Sequence, residues 1–285
     1  MHEEFPRTHD ASLALPDDVL LIIFKHVVKN PLYPRWAVPV TLSHVCVQWR
    51  LVVVDCSSFW TYLGVSSAAF VPLIPLFAER CRHRQLALSF DGEFGRPKRT
   101  QDQMTNNSPS IRVKLSPSSA AKISRVYFSS AYAFGAIHLE NGAYEQLDLN
   151  SLVIDPYSNG PQVITGPARL LLRARRVVLK NTSMATLRES ELSDIVEDFQ
   201  YCPKHQSVDE VWDTLKHLPM PRLRRLKLCD VDTFESPSYE GSVDFPLLES
   251  VELVLCHFGF PRFIGTVIRA PNLRSVTIKR ETYFE

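Results

Sequence analysis

Three stretches near the carboxyl end, Pro221–Leu228 PRLRRLKL, Pro246–Leu253 PLLESVEL and Pro271–Ile278 PNLRSVTI, repeat one pattern at a spacing of 25 residues. Four columns stay in register: the prolines; then Leu223, Leu248 and Leu273; then Leu226, Val251 and Val276; then Leu228, Leu253 and Ile278. With 20 prolines in 285 residues, two further proline matches in register arise by chance about once in 200, so the period belongs to the fold. The apolar–polar–apolar triplet closing each unit reads as a short strand, because side chains alternate across a strand. No single unit can bury its own apolar side, so the units must stack.

Working outward, looser triplets lie upstream at Leu86–Leu88, Val126–Phe128, Leu147–Leu149 and Val177–Leu179, at irregular spacing. The unit P-x-L-x-x-L-x-L resembles the leucine-rich repeat, in which one short strand per unit is followed by a helix or an irregular return. The segments 189–199, ESELSDIVEDF, and 207–218, SVDEVWDTLKHL, are helical in pattern. Asp91–Ser110, DGEFGRPKRTQDQMTNNSPS, is almost devoid of apolar residues and rich in turn formers, so it reads as a solvated or disordered insert. The repeat stops seven residues after Ile278 without a polar terminal unit, so either the chain is truncated or something else covers its last apolar edge.

A different pattern occupies residues 13–63, LALPDDVLLIIFKHVVKNPLYPRWAVPVTLSHVCVQWRLVVVDCSSFWTYL. Pro16 suits a first helical position, and Asp17 and Asp18 set negative charge against the positive end of the helix dipole. Leu20, Ile23, Phe24 and Val27 form one apolar stripe, and Asn30–Pro31 ends the helix. A second helix is predicted to carry Leu42, Val45, Cys46, Trp49, Val52 and Val53 on its apolar side. Phe59 and Trp60 close the unit with two large rings. A module of about fifty residues has a marginal core alone, so it must lean on the next domain or on a partner.

The Leu15-Pro16 pair, Asp17-Asp18, the Val19, Leu20, Ile23 and Phe24 set, Val45-Cys46, Trp49-Arg50 and Phe59-Trp60 together resemble an F-box. The resemblance implies docking on the small Skp adaptor of a cullin-RING ubiquitin ligase, with Leu15, Pro16, Leu20, Ile23, Phe24, Val45, Cys46 and Trp49 forming or supporting the docking surface. The proline-rich insert Lys29–Pro39 departs from the compact family form and lengthens the connection between the helices.

The expected architecture is therefore α+β or an α/β solenoid: a small N-terminal helical F-box module followed by an irregular leucine-rich-repeat domain. Residues 1–12 are a flexible tail and 13–64 the module. Residues 65–118 hold a connecting helix, a first strand and the insert, and 119–285 the repeat domain, which lacks a C-terminal cap.

Composition narrows the function. Net charge is +1, which gives no general attraction to nucleic acid or membrane. The clusters Arg173-Arg175-Arg176 and Arg222-Arg224-Arg225-Lys227 flank predicted strands and read as solvated edges. No apolar run reaches membrane-spanning length, the start has no signal-peptide core, and the cytosol or nucleus is the expected compartment. The six cysteines show no C-x-x-C pair, so no zinc site or disulfide framework is indicated, and Cys202-Pro203-Lys204-His205 lacks further ligands in register. No nucleophile elbow, phosphate loop, dinucleotide fingerprint or zinc-protease motif is present, so no cofactor and no enzymatic activity are expected.

The expected function is a substrate-recognition adaptor of an SCF-type ligase, with the module binding the Skp adaptor and the repeats binding a target protein of unknown identity. Strand residues facing away from the core are the candidate target contacts: Tyr127, Asp148, Val178, Lys227, Glu252 and Thr277, with Ala87 in the same series. The alternative is a non-catalytic interaction scaffold that keeps the module and takes no part in ubiquitin transfer.

Overall fold

The computed structural model describes residues 15–30, 34–90, 113–129, 137–139, 147–155, 172–181, 195–202, 206–217, 220–233, 241–254, 256 and 260–279. Its centre is a parallel sheet of nine strands: β1 Tyr62–Gly64, β2 Leu86–Phe90, β3 Ile123–Phe128, β4 Leu147–Ile154, β5 Leu172–Lys180, β6 Asp198–Cys202, β7 Arg225–Cys229, β8 Ser250–Val254 and β9 Ser275–Lys279. Spatial order follows chain order from one edge to the other. Described helices are α1 Asp17–Lys29, α2 Ala37–Leu42, α3 Val47–Asp55, α4 Leu73–Arg80, α5 Pro117–Ala120, α6 Val208–His217 and α7 Phe260–Val267. Short parallel pairs outside the sheet join Val113–Leu115 to Ile137–Leu139, Gln206–Ser207 to Val231–Thr233, and Val243–Asp244 to Ile268–Arg269.

This corrects the expected fold class. The chain is not a helical module followed by a leucine-rich-repeat solenoid; it is an α/β fold built on one large parallel sheet with few helices. The physical reason lies at the boundary drawn at residue 64. Tyr62–Gly64, assigned to the helical module, is the first strand of the sheet and pairs with Ala87–Ser89. Phe59, Trp60 and Leu63 belong to the same core as the strand residues Leu88, Val126, Leu228 and Leu253. Trp60 is fully buried, donates Nε1–H to the Val53 carbonyl at 2.9 Å and meets Phe77 edge-on at 5.0 Å.

Strand patterning explains the sheet. In β7 and β8 the residues Leu226, Leu228, Val251 and Leu253 are buried, while Lys227, Cys229, Glu252 and Val254 are half-exposed on the opposite face. The 25-residue columns stand side by side: Leu226, Val251 and Val276 pair in sequence, as do Leu228, Leu253 and Ile278. Along β9 every residue is exposed, Val276 and Ile278 included. Parallel neighbours need a long return between them. Asn181 and Asp230, just past β5 and β7, take φ of 50° and 56° to start that return, and these residue types tolerate the left-handed region.

Other expectations fare unevenly. The four looser triplets fall in β2, β3, β4 and β5. Residues 207–218 do contain helix α6, but Asp198 and Phe199 of the other helical reading lie in β6. Alternation of Phe199 and Tyr201 inward with Gln200 and Cys202 outward fixes that strand. The tail 1–12 and the insert 91–110 lie outside the described residues.

Candidate functional site

Helix α1 begins after Pro16, whose carbonyl accepts from Leu20 N–H at 3.0 Å, and it ends where Asn30 turns extended before Pro31. Its buried set is Leu20, Phe24 and Val28 rather than the predicted stripe. The shift leaves Ile23 42% exposed, beside exposed Leu15, Val19 and Ile22. The predicted second helix is broken: α2 ends at Leu42, Ser43–Val45 form a turn, and α3 starts after extended Cys46. Ser43 donates its hydroxyl to the Val40 carbonyl at 2.7 Å, and Arg50 Nε–H donates to the Ser43 carbonyl at 2.8 Å, which satisfies backbone groups at the break. As a result Val45 faces outward, and α3 exposes Val47 and Leu51.

The eight residues assigned to adaptor docking therefore separate into two groups. Leu15, Pro16, Ile23 and Val45 are exposed, and Cys46 and Trp49 are half-buried. Leu20 and Phe24 have no exposed surface and act from beneath. Phe24 meets Trp49 edge-on at 4.9 Å and so ties α1 to α3. Gln48 Nε2 donates to the Leu15 carbonyl at 3.0 Å and to Asp17 Oδ1 at 2.9 Å, clipping the start of α1 to α3. The indole N–H of Trp49 is buried without an acceptor among the described residues. Between α1 and α3 a groove of about 540 Å³ is lined by Leu21, Leu51 and Val52 together with Asp18, Lys25 and Arg84. Sequence reasoning passed over Ile22, Val47 and Leu51, and counted Val19 in the resemblance without assigning it to the docking surface. The available signal was that α1 and α3 each carry apolar residues on more than one side, which a helix with a single core-facing stripe does not need.

The open face of the sheet holds the second set. Tyr127, Val178, Lys227, Glu252 and Thr277 do fall in one transverse row, completed by Val153 and Gln200 through pairings on β4 and β6, but Val178 is buried and offers no surface for a target. Asp148 is outside that row. It sits on the exposed entry end of β4, 3.5 Å from Arg173, and Val153 takes the place expected for it. Alternation changes phase in β4, where Leu149 and then Leu152 and Ile154 are buried, and no triplet motif announces that change.

Over β5–β9 this face is a ladder of ion pairs. Asp198 lies 3.7 Å from Arg176 and 3.2 Å from Arg225. Glu252 lies 3.3 Å from Lys227 and 2.7 Å from Lys279. The Lys279 ammonium, with Lys227 behind it, holds the Glu252 carboxyl below the usual range, against a smaller opposing effect of burial. Lys180, 3.0 Å from Asp155, is raised by the hydrogen bond to that carboxylate. Arg173, Arg176, Arg224, Arg225 and Lys227 of the two basic clusters are thus absorbed into pairing.

At the exit ends of β6 and β7, Cys202 and Cys229 share a hydrogen bond that draws the Cys202 thiol down to about 7, assisted by Gln200 Nε2–H at 3.4 Å and the nearby lysines. The same bond, together with burial, pushes Cys229 up. Burial raises Cys256 to about 11. Among the described residues no group of three His, Cys, Asp or Glu side chains is placed to hold a metal ion, and residues 203–205 of the Cys202–His205 run lie outside them. No described helix is long and apolar enough to cross a membrane.

No family model and no curated protein matches the chain.

Proposed function

We propose that this protein is a substrate-recognition adaptor of a cullin-RING ubiquitin ligase, in which α1–α3 dock on an Skp-type adaptor and the open face of the sheet engages a target protein. The observation that carries this reading is the apolar surface left over on α1 and α3. Leu15, Val19, Ile22, Ile23, Val45, Val47 and Leu51 are all exposed although both helices already meet the shared core through Leu20, Phe24 and Val53. Clustered exposed apolar residues of this kind mark interaction surfaces. The quoted run from Leu15 to Trp60, resembling an F-box, names the partner. The ligation chemistry then belongs to other subunits, and this chain raises the local concentration of a target near the ubiquitin carrier. Such a complex operates in the cytoplasm or nucleus.

Ile23→Glu and Val45→Glu test the docking face in a pull-down with purified adaptor and cullin. Both sites are exposed, so the fold tolerates the change, and circular dichroism checks it. Each substitution is expected to weaken capture at least tenfold, since truncating a central anchor typically costs more than about 2 kcal/mol. Unchanged capture by both variants overturns the docking face. Recovery of the adaptor without the cullin assigns the protein to the scaffold reading instead.

A further inference from the structure

At the helical end of the sheet the open face sinks into a hollow of about 820 Å³, within the size range of small-molecule sites. Its cause is legible in the strands. Ala87 on β2 lies between Tyr62 on β1 and Arg125 on β3, and Arg125 is flanked on its other side by Ser151 of β4. In the next row Ser89 stands beside Tyr127. Small side chains at Ala87, Ser89 and Ser151 leave a floor with walls of Tyr62 and Tyr127.

A bulge adds to this. Leu86 pairs with Ile123, but the next residue, Ala87, pairs with Arg125, so Ser124 is the extra residue on β3. Bulges bend a strand and re-aim the side chains that follow, and they concentrate next to functional sites. Here the residue following is Arg125, turned outward and exposed. The second cation comes from the other side of the fold boundary: Arg35 lines the same hollow. Its turn is anchored because the neighbouring Trp36 packs edge-on against Phe70 at 4.6 Å.

The charge of this hollow differs from the rest of the face. Among the described residues its lining includes two arginines and no Asp or Glu, whereas the cations of β5–β9 that point to the same side are matched by Asp155, Asp198 and Glu252. Tyr62, Ser124, Ser151 and Gln85 supply neutral hydrogen-bonding groups around the arginines. A single carboxylate would match one guanidinium and leave the other. A phosphate monoester carries about −1.5 to −2 charges at pH 7 with three acceptor oxygens, and guanidinium is the side chain best shaped to bind it.

The geometry points to a binding site for a phosphate monoester of small-molecule size, held by Arg35 and Arg125 over the floor of Ala87, Ser89 and Ser151, with its hydroxyl-bearing body against Tyr62 and Tyr127. This site is independent of adaptor docking, because none of the outward residues of α1 or α3 reaches it.

Titration calorimetry on the full chain tests it, with glucose 6-phosphate and adenosine monophosphate as probes, glucose and adenosine as their uncharged counterparts, and a phosphoserine peptide as the macromolecular arm. Saturable binding of at least one free monoester is expected, with no binding of its dephosphorylated form. Arg35→Ala and Arg125→Ala should each weaken that binding tenfold or more at an unchanged melting temperature. Arg224→Ala, whose guanidinium is committed to Glu249 at 3.1 Å, should leave it unchanged. Absence of binding by both free monoesters overturns the proposal, as does binding that survives both arginine substitutions. Binding of the peptide alone also overturns it, and gives the hollow to a modified protein target. The Ile23→Glu variant should bind the monoester normally, so failure of adaptor docking and failure of this site are read separately.

Discussion

The two halves of the open face are built from the same strand pattern and end up chemically opposite. Over β5–β9, Asp198 and Glu252 each sit between two cations on neighbouring strands, so the face is neutralised and closed by side chains reaching sideways. Over β1–β4, small residues and a bulge open a hollow, and its two arginines have no carboxylate among the described lining residues. Parallel pairing is common to both halves, so side-chain size and charge, together with the one bulge at Ser124, decide which half is a surface and which is a receptacle. The halves are also braced differently. The β1–β4 half leans on the N-terminal helices through Trp60 and Phe77 and carries the stacked strand pair Phe90–Phe128 at 5.1 Å, while the β5–β9 half shares its core with α6 and α7 through Val211, Leu215, Ile264 and Val267 and adds its paired charges.

The sharpest way to break this contrast is Trp60→Ala. It deletes a fully buried ring, the bond to the Val53 carbonyl and the stacking contact with the Arg80 guanidinium 4.3 Å above the ring. A loss of about 3–5 kcal/mol is expected from urea titration, in a single transition monitored both at the helices and at the sheet. Separate transitions would show that the helical end and the sheet are distinct units. In the other half, Asp198→Asn should cost about 1 kcal/mol, since both arginine partners are more than half exposed and such pairs are individually weak. That loss should shrink in high salt, whereas the Trp60→Ala loss should not.

Acid titration sharpens the same point at smaller scale. Glu252 has a depressed carboxyl in the folded state, so the unfolded chain binds its proton first as pH falls. Its contribution is complete above about pH 4.5, the ordinary glutamate value, and is lost as pH drops through the lower folded value. Glu252→Gln should flatten the stability curve in that window and lower it by a constant amount, with unchanged slope, at higher pH. Cys202 gives a local readout: alkylation should proceed at Cys202 before Cys256, with a rate midpoint near pH 7 that moves upward in Cys229→Ala, because the shared hydrogen bond is the main cause of the shift.

How far the sequence could lead differs between these regions for physical reasons. The 25-residue columns announce β7, β8 and β9 because apolar residues two apart, repeated at fixed spacing, admit one arrangement of neighbours. The start of α1 is legible in Pro16, Asp17 and Asp18, and its end in Asn30–Pro31. By contrast, β1 is three residues long, too short to show a period, and β6 hides in a run whose acidic residues suggested a helix. Missing those two strands is what turned one sheet into a module and a solenoid. The break at Ser43–Cys46 was masked because Leu42, Val45, Cys46 and Trp49 keep helical spacing through it, yet Val45 is exposed. Of the candidate contacts, the row from Tyr127 to Thr277 followed from alternation alone, and Asp148 missed it through the change of phase in β4. The hollow was out of reach: Arg35 and Arg125 are joined only by the folded sheet, and neither belongs to a motif.

The absence of a hinge at Tyr62–Gly64 has a mechanical consequence. A strand that finishes the helical end and simultaneously begins the sheet transmits bending and torsion directly between them. Any body gripped by the outer sides of α1 and α3 is thereby given a set bearing and distance toward any body resting on the sheet, and the reach of such an assembly comes from rigid aim, with no slack tether to average over directions.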